Sequence, residues 1–201
     1  MKLLGSHASP YTRKVRIVLA EKRIEFDFEV VDVAPADNPV IALNPLGKVP
    51  TLLLDDGTAL YDSRVIVEFA DAVSPLARLT PDDNRERAAV RRWEALADGM
   101  LDAALLLRGE EARPEANRSA AWIAKQRAKV ERALAEAARE LGDKNWAHER
   151  YSLADVALGA ALGWLEFRKP GGIEWRDQYA NLARHYGRLM ERPAFADSAP
   201  R

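Results

Sequence analysis

The chain has no cysteine. That absence removes disulfides, thiolate metal ligands and every mechanism that uses a protein thiol as its nucleophile. Histidine is scarce as well, and His7, His148 and His185 fall at spacings that make no metal site. Neither sign of charge is in excess: 30 basic residues face 31 acidic ones, for a formal net charge of −1. Nothing global therefore draws the chain to nucleic acid or to an anionic membrane. A long hydrophobic run is also missing. The most apolar stretch, residues 151–167, carries Asp155 and Glu166 and is too short to span a bilayer comfortably. The opening Met-Lys-Leu-Leu-Gly-Ser-His lacks the apolar core of a signal peptide. Neither an internal repeat nor a low-complexity segment is visible. The expectation is a soluble cytoplasmic protein without membrane, nucleic-acid or metal partners.

What is present is 201 residues, 48% hydrophobic and 30% charged, enough for one large domain or two small ones with cores of their own. Residues 2–5 read as a short strand and 6–10 as a turn. Pro10 suits the first turn of a helix, where its missing N–H costs nothing. Val15, Val18 and Leu19 give that helix an apolar face, with Arg13, Lys14, Arg16, Glu21 and Lys22 expected outside. Residues 26–31 alternate at period two, as a strand does, and residues 34–42 suggest an irregular helix. Asn44-Pro45 and Gly47 mark a loop that ends at Pro50, at the mouth of an apolar strand over 51–54. Asp56-Gly57 is a hairpin turn into a strand over 58–61. Ser63 is the expected cap of a helix over 64–73, with Val65, Ile66 and Phe69 facing inward.

After Ser74-Pro75 the texture changes. Nothing beyond position 80 reads as a strand, and Pro81, Pro114 and Gly142 separate long patterns rich in Ala, Glu, Arg and Leu. Helices are expected over 83–112, 115–141, 153–167 and 179–191, the last stopped by Pro193. Ser152-Leu153-Ala154-Asp155 is a capping box, with Tyr151 and Val156 at the two ends of a hydrophobic staple. The fold class is thus α/β plus all-α: a small mixed domain over residues 1–76, then a helical domain over 82–201.

These motifs carry a resemblance. Ser9-Pro10-Tyr11-Thr12-Arg13-Lys14-Val15-Arg16 follows the first strand, Asn44-Pro45-Leu46-Gly47-Lys48-Val49-Pro50 precedes the third, and Asp62-Ser63 opens the third helix. With the capping box at Ser152 and Asp155, they resemble the cytosolic glutathione transferases over essentially the whole chain. Four separate motifs stand in the right order, with the right element types between them. Within that family the chain looks closest to bacterial members with serine at the active position. The resemblance implies a thioredoxin-like N-terminal domain, a helical C-terminal domain, a cis Val49–Pro50 bond and a homodimer.

It also implies roles. Glutathione, as cosubstrate with no further cofactor, presents an α-amino acid end, a thiol and a terminal carboxylate. Val49, beside Pro50, would exchange backbone hydrogen bonds with the cysteinyl residue as one rung of a sheet. Asp62 would pair the α-ammonium, and Ser63 with the free N–H groups of its helix the α-carboxylate. Lys48 either reaches a carboxylate or stays in solvent. Only a few per cent of a free thiol, with pKa about 8.5, is ionised at pH 7. Lowering that value by about two units takes roughly 2.7 kcal/mol. A hydrogen bond from Ser9 supplies roughly 1.5–3 kcal/mol, and the helix beginning near Pro10 about 0.3–1 kcal/mol more. Ser9 would then be a donor to the thiolate, with the cosubstrate's sulfur as nucleophile attacking a hydrophobic electrophile. Tyr11, Leu105 and Trp164 are the candidates for the second-substrate pocket, and Tyr11 is also the runner-up for the thiol. Thiol-exchanging relatives carry cysteine at this point. Without it no mixed disulfide with the enzyme can form, which disfavours thioltransferase chemistry.

Plainer readings stand beside these. Ser9 before Pro10 is an ordinary helix cap, and so is Asp62-Ser63, although Ile66 denies the latter a reciprocal capping box. The segment from Arg85 to Arg92 reads as a solvated helix face, and Trp93, Trp122, Trp146, Trp164 and Trp175 as core. Asp98 and Asp102 stand one helical turn apart, and the resemblance implies that an acidic residue there can reach across a dimer to the neighbour's glutathione. The rival function is a related binding, carrier or regulatory module with little turnover. Such modules typically lose the glutathione-contacting residues that are present here.

Overall fold

In the computed structural model, which describes residues 1–201, the chain divides into two units: Met1–Leu79 with Arg192–Arg201, and Thr80–Glu191. The first unit is built on a four-stranded sheet. Strand β1 (Lys2–Gly5) lies parallel to β2 (Asp27–Val30) and antiparallel to β3 (Thr51–Leu53), which pairs antiparallel with β4 (Ala59–Leu60), giving the order β2-β1-β3-β4. Leu3 and Leu52 are wholly buried, and they pair across β1 and β3. Helix α1 (Pro10–Glu21) joins β1 to β2, and α2 (Ser63–Val73) follows β4. Gly5 is required where α1 meets the sheet: a Cβ there would lie 2.4 Å from Thr12 Cγ2 and 2.8 Å from the Phe28 ring. The Val49–Pro50 bond is cis, as the resemblance implies, and so is Tyr61–Asp62.

Several expectations are corrected. Residues 34–42 form a single 3-10 turn, Pro39–Ala42, capped by the Asn38 side chain. The cap of α2 is Asp62, whose Oδ1 accepts from Arg64 N at 3.0 Å, and Ser63 is the first helical residue. Val65 is 47% exposed; the buried stripe of α2 is Ile66, Val67 and Ala70. Arg13, Lys14 and Lys22 are buried rather than outside. Helical periodicity shows which face is most apolar, but it does not show that α1 is covered on further sides. Lys22 at the C-terminus of α1 pairs with Asp71 Oδ1 and also donates to the carbonyls of Leu76 and Ala77, each at 3.0 Å. Its ammonium thus has three partners, as a buried cation needs.

The C-terminal segment makes contacts that the sequence does not show. Arg192–Arg201, including the short helix α8 (Pro193–Ala196), groups with the first unit. Arginines hold it there. Arg192 makes a two-pronged pair with Glu21 at 2.8 and 2.7 Å, Arg13 donates to Phe195 O, and Arg16 donates to Asp197 O, both at 3.2 Å. Phe195 is fully buried. Pro193 therefore begins a turn of helix instead of merely ending one, as a proline at the first helical position allows.

The second unit is helical: α3 (Asn84–Glu111), α4 (Ala120–Leu141), α5 (Leu153–Arg168), α6 (Trp175–Gln178) and α7 (Ala180–Met190). The helix expected over 115–141 is broken, because Ser119 stays extended and caps α4 through Trp122 N while its own N–H bonds Glu110. Helix α5 is apolar all round, and every residue from Leu153 to Leu165 is buried, the pattern of a central helix. Its capping box forms as expected. Asp155 accepts from Ala147 N at 2.7 Å and from Ser152 N at 2.8 Å, and Ser152 Oγ donates to it at 3.2 Å. His185 on α7 is 1% exposed and sets Nε2 3.5 Å from Asp155 Oδ1. Burial pushes the Asp155 carboxyl up to about 6 and the His185 imidazole down to about 4. Trp93, Trp164 and Trp175 are core; Trp122 is 39% exposed and Trp146 half-buried.

Candidate functional site

Sheet topology brings the motifs together. Gly5 ends β1, and its neighbour Leu4 stands opposite Thr51, the first residue of β3. Leu60, the last residue of β4, stands opposite Leu52. The chain leaving β1 toward Ser9, the chain entering β3 from Lys48-Val49-Pro50, and the chain leaving β4 toward Asp62-Ser63 thus all lie at one end of the sheet. The Asp56-Gly57 turn occupies the other end. Antiparallel pairing alone dictates this placement.

Ser9 is the half-buried cap of α1, and its Oγ accepts from Thr12 N at 3.2 Å. The plain reading of this serine is therefore realised. A hydroxyl has one proton to give as well as lone pairs to receive, and the Ser9 proton is donated to no group of the chain. No acidic side chain occupies the first turn of α1, so the positive end of the helix dipole is uncompensated there. Two residues before Ser9, the His7 ring meets Phe28 edge-on at 5.2 Å and accepts from Arg201 at 3.3 Å. Desolvation, then the charges of Arg201 and Arg16, hold His7 below its ordinary value, which favours the neutral ring.

Val49 is half-buried. Its side chain packs against the apolar cluster of Leu4, Val31 and Val40, while its N–H and C=O bond no group of the chain. Lys48 is exposed. Asp62 is exposed, and Ser63 behind it is 3% exposed. The sequence-based assignment passed over the bracing of this loop. Asn44 and Thr51, 2% and 0% exposed, hydrogen-bond the Lys48 carbonyl from beneath. The Asn-Pro pair was visible as a turn signal, but its inward bonds were not.

The proposed second-substrate residues fare differently. Tyr11 is half-buried on α1 and Leu105 is 38% exposed on α3. Trp164 is 2% exposed, so it offers no open face to a ligand. Asp98 is likewise 2% exposed, whereas Asp102 is exposed. The segment Arg85-Glu86-Arg87 is exposed as expected. The structure gathers no group of three or more side chains able to hold a metal ion, and no helix is long and apolar enough to cross a membrane.

Comparison with known proteins agrees with this geometry. Residues 8–73 match the family model of the glutathione S-transferase N-terminal domain, and residues 120–188 that of the C-terminal domain. A GST-like protein of Escherichia coli K12, YibF, itself uncharacterised, is 38% identical over 100% of this chain and 98% of its own length. The crystal structure of a glutathione S-transferase from Methylobacillus flagellatus KT with glutathione bound is 51% identical. It covers 100% of this chain and 99% of its own, with a TM-score of 0.95. A second, from Methylobacterium radiotolerans in complex with glutathione sulfonate, is 44% identical over 99% of this chain and 94% of its own, with a TM-score of 0.94. The two family models together match more than half of the chain, and a full-length relative is 38% identical, so this chain is a member of one family: the glutathione S-transferases.

Proposed function

We propose that the protein is a glutathione transferase in which Ser9 donates a hydrogen bond to the glutathione thiolate. The observation that carries this reading is the uncommitted proton of the Ser9 hydroxyl at the N-terminus of α1. That proton and the uncompensated dipole are the two contributions the thiol needs, roughly 1.5–3 and 0.3–1 kcal/mol. Val49 offers the cysteinyl backbone an N–H and a C=O. Asp62, exposed at the cap of α2, takes the α-ammonium, and Ser63 with the first N–H groups of α2 takes the α-carboxylate. Lys48 is the candidate for the terminal carboxylate. Glutathione bound to related structures supports the ligand assignment. The sulfur attacks a hydrophobic electrophile near Tyr11; Trp164, being covered, is dropped from that pocket. Family membership supports a cytoplasmic homodimer.

The test is the ultraviolet absorbance of the thiolate, titrated with pH, for glutathione bound to the wild type and to Ser9→Ala. The expected result is a bound thiol pKa well below the free value that returns toward it in the variant. Saturated binding with no lowering in the wild type would make the protein a carrier or regulatory module.

A further inference from the structure

A loop residue that presents its backbone to a ligand needs its peptide plane fixed, and the plane before Val49 is fixed by two buried side chains. Asn44 Nδ2 donates to Lys48 O at 2.9 Å, and Thr51 Oγ1 donates to the same oxygen at 3.1 Å. Both lone pairs of that carbonyl are thereby occupied. The two side chains also join each other, with Asn44 Nδ2 3.3 Å from Thr51 Oγ1. Asn44 Oδ1 accepts from Leu46 N at 3.0 Å, and the Asn44 backbone accepts from Gly47 N at 2.9 Å. The amide's orientation follows from its partners: an N–H group needs an oxygen on one side, and a carbonyl needs a nitrogen on the other. Asparagine meets both demands, whereas aspartate would set a carboxylate against the Lys48 carbonyl.

In a trans peptide the C=O and the N–H of the next residue point in opposite directions. The Lys48–Val49 bond is trans. With Lys48 O held toward Asn44 and Thr51, the Val49 N–H is aimed the other way, and it bonds nothing in the chain. The opposite edge of Val49 is anchored too, since its side chain packs against Leu4, Val31 and Val40.

We infer that Asn44 and Thr51 are positioning residues for ligand binding. They lock the Lys48–Val49 peptide so that Val49 N–H stands as a pre-aimed donor to the cysteinyl carbonyl of glutathione. This rests on the glutathione reading above and adds the device that makes the Val49 rung rigid. Preorganisation of this kind lowers the ordering cost of binding, so its loss falls on affinity rather than on the thiol.

The test compares the wild type, Thr51→Val, Thr51→Ser and Asn44→Asp as full-length protein. Calorimetry gives the affinity for glutathione, and amide hydrogen exchange reads the Val49 N–H with and without the ligand. Thr51→Val, which keeps shape and removes the hydroxyl, is expected to bind about tenfold more weakly. Thr51→Ser is expected to stay within about twofold of the wild type, and Asn44→Asp to lose more than Thr51→Val. Glutathione should slow Val49 exchange in the wild type and in Thr51→Ser but not in Thr51→Val. The pKa of the bound thiol at saturation should be the same in all of them, because Ser9 is untouched. If Asn44→Asp does not fold, the threonine pair decides alone. Thr51→Val with wild-type affinity and a protected Val49 amide overturns the inference, as does equal loss in Thr51→Val and Thr51→Ser. Failure of the wild type to bind glutathione overturns the functional reading instead.

Discussion

Two of the serines that cap helices in this protein, Ser152 and Ser9, are built in opposite ways. Ser152 at the start of α5 is 2% exposed and fully spent: its N–H and its Oγ both bond Asp155, and the Oγ also accepts from Ala154 N. Ser9 at the start of α1 is half-buried, accepts one bond from Thr12 N, has no acidic partner in its first turn and keeps its proton free. A saturated cap has nothing left to give a ligand and acts on the fold. A cap with spare donor capacity beside an uncompensated helix dipole is equipped to hold an anion. The same residue type in the same position thus serves structure in one unit and, in the function proposed above, chemistry in the other.

The most forceful way to break that contrast is to remove Asp155. Its carboxylate satisfies the buried N–H groups of Ala147 and Ser152. Asp155→Ala strands both, at about 1–3 kcal/mol each, or about 2–6 kcal/mol together. That is a large share of a domain's stability, about 5–15 kcal/mol. Urea unfolding should show it; a loss below about 1 kcal/mol would mean that the box is ornamental.

The contrast sharpens with pH, because Asp155 faces His185 at 3.5 Å. The imidazole falls from its ordinary 6.5 to about 4 on folding, so its contribution is complete above pH 6.5 and is lost as pH falls through that window. The carboxyl rises from 3.8 to about 6, so its ionised form costs stability above pH 6 and that cost is relieved as pH falls toward 3.8. Each shift corresponds to about 3 kcal/mol, and the two run in opposite directions. Between pH 7 and pH 4 the pair should therefore leave wild-type stability nearly flat. His185→Leu should make the protein gain stability on acidification, and Asp155→Asn should make it lose stability, each by up to about 3 kcal/mol. Slopes of the same sign in both variants would show that the two groups do not oppose each other.

The sequence revealed these two caps to different depths. Ser152 and Asp155 stand three residues apart before an apolar run, a local signal that names both partners, and the box formed as read. His185 lies thirty positions further on, and no periodicity joins it to Asp155; only the packing of α7 does. In residues 34–42 Pro35 and Pro39 with the Asn38 cap allow only the single 3-10 turn, and at Ser119 a side-chain cap starts α4 later than its helical composition suggests. The bonds that tie the tail 192–201 to α1 were not legible, since arginine pairs with Glu21 and with backbone carbonyls leave no pattern in the chain. At the candidate site the motifs were legible as Ser9, Lys48-Val49-Pro50 and Asp62-Ser63. The cap of α2 was misassigned by one residue because Asp62 and Ser63 are both good caps. The buried brace of Asn44 and Thr51 was invisible, because a hydrogen bond to a loop carbonyl has no sequence period.

The smallest effect separates the two serines most directly. Ser152→Ala removes an Oγ that is buried and bonded on both sides, so its cost belongs at the upper end of the range for caps, about 2 kcal/mol. Ser9→Ala removes one half-exposed acceptor from Thr12 N, and its cost belongs at the lower end, about 0.5 kcal/mol. Thermal unfolding of the two variants under one set of conditions reads both. The activity readout should invert: Ser9→Ala, close to native stability, should lose thiol activation, whereas Ser152→Ala at a temperature where it remains folded should keep it. A Ser9→Ala variant as destabilised as Ser152→Ala would mean that the Ser9 hydroxyl is spent on holding α1. In that case a loss of activity at Ser9 would report the helix, and thiol activation would have to be sought at Tyr11, the nearest other hydroxyl on α1 considered for that role.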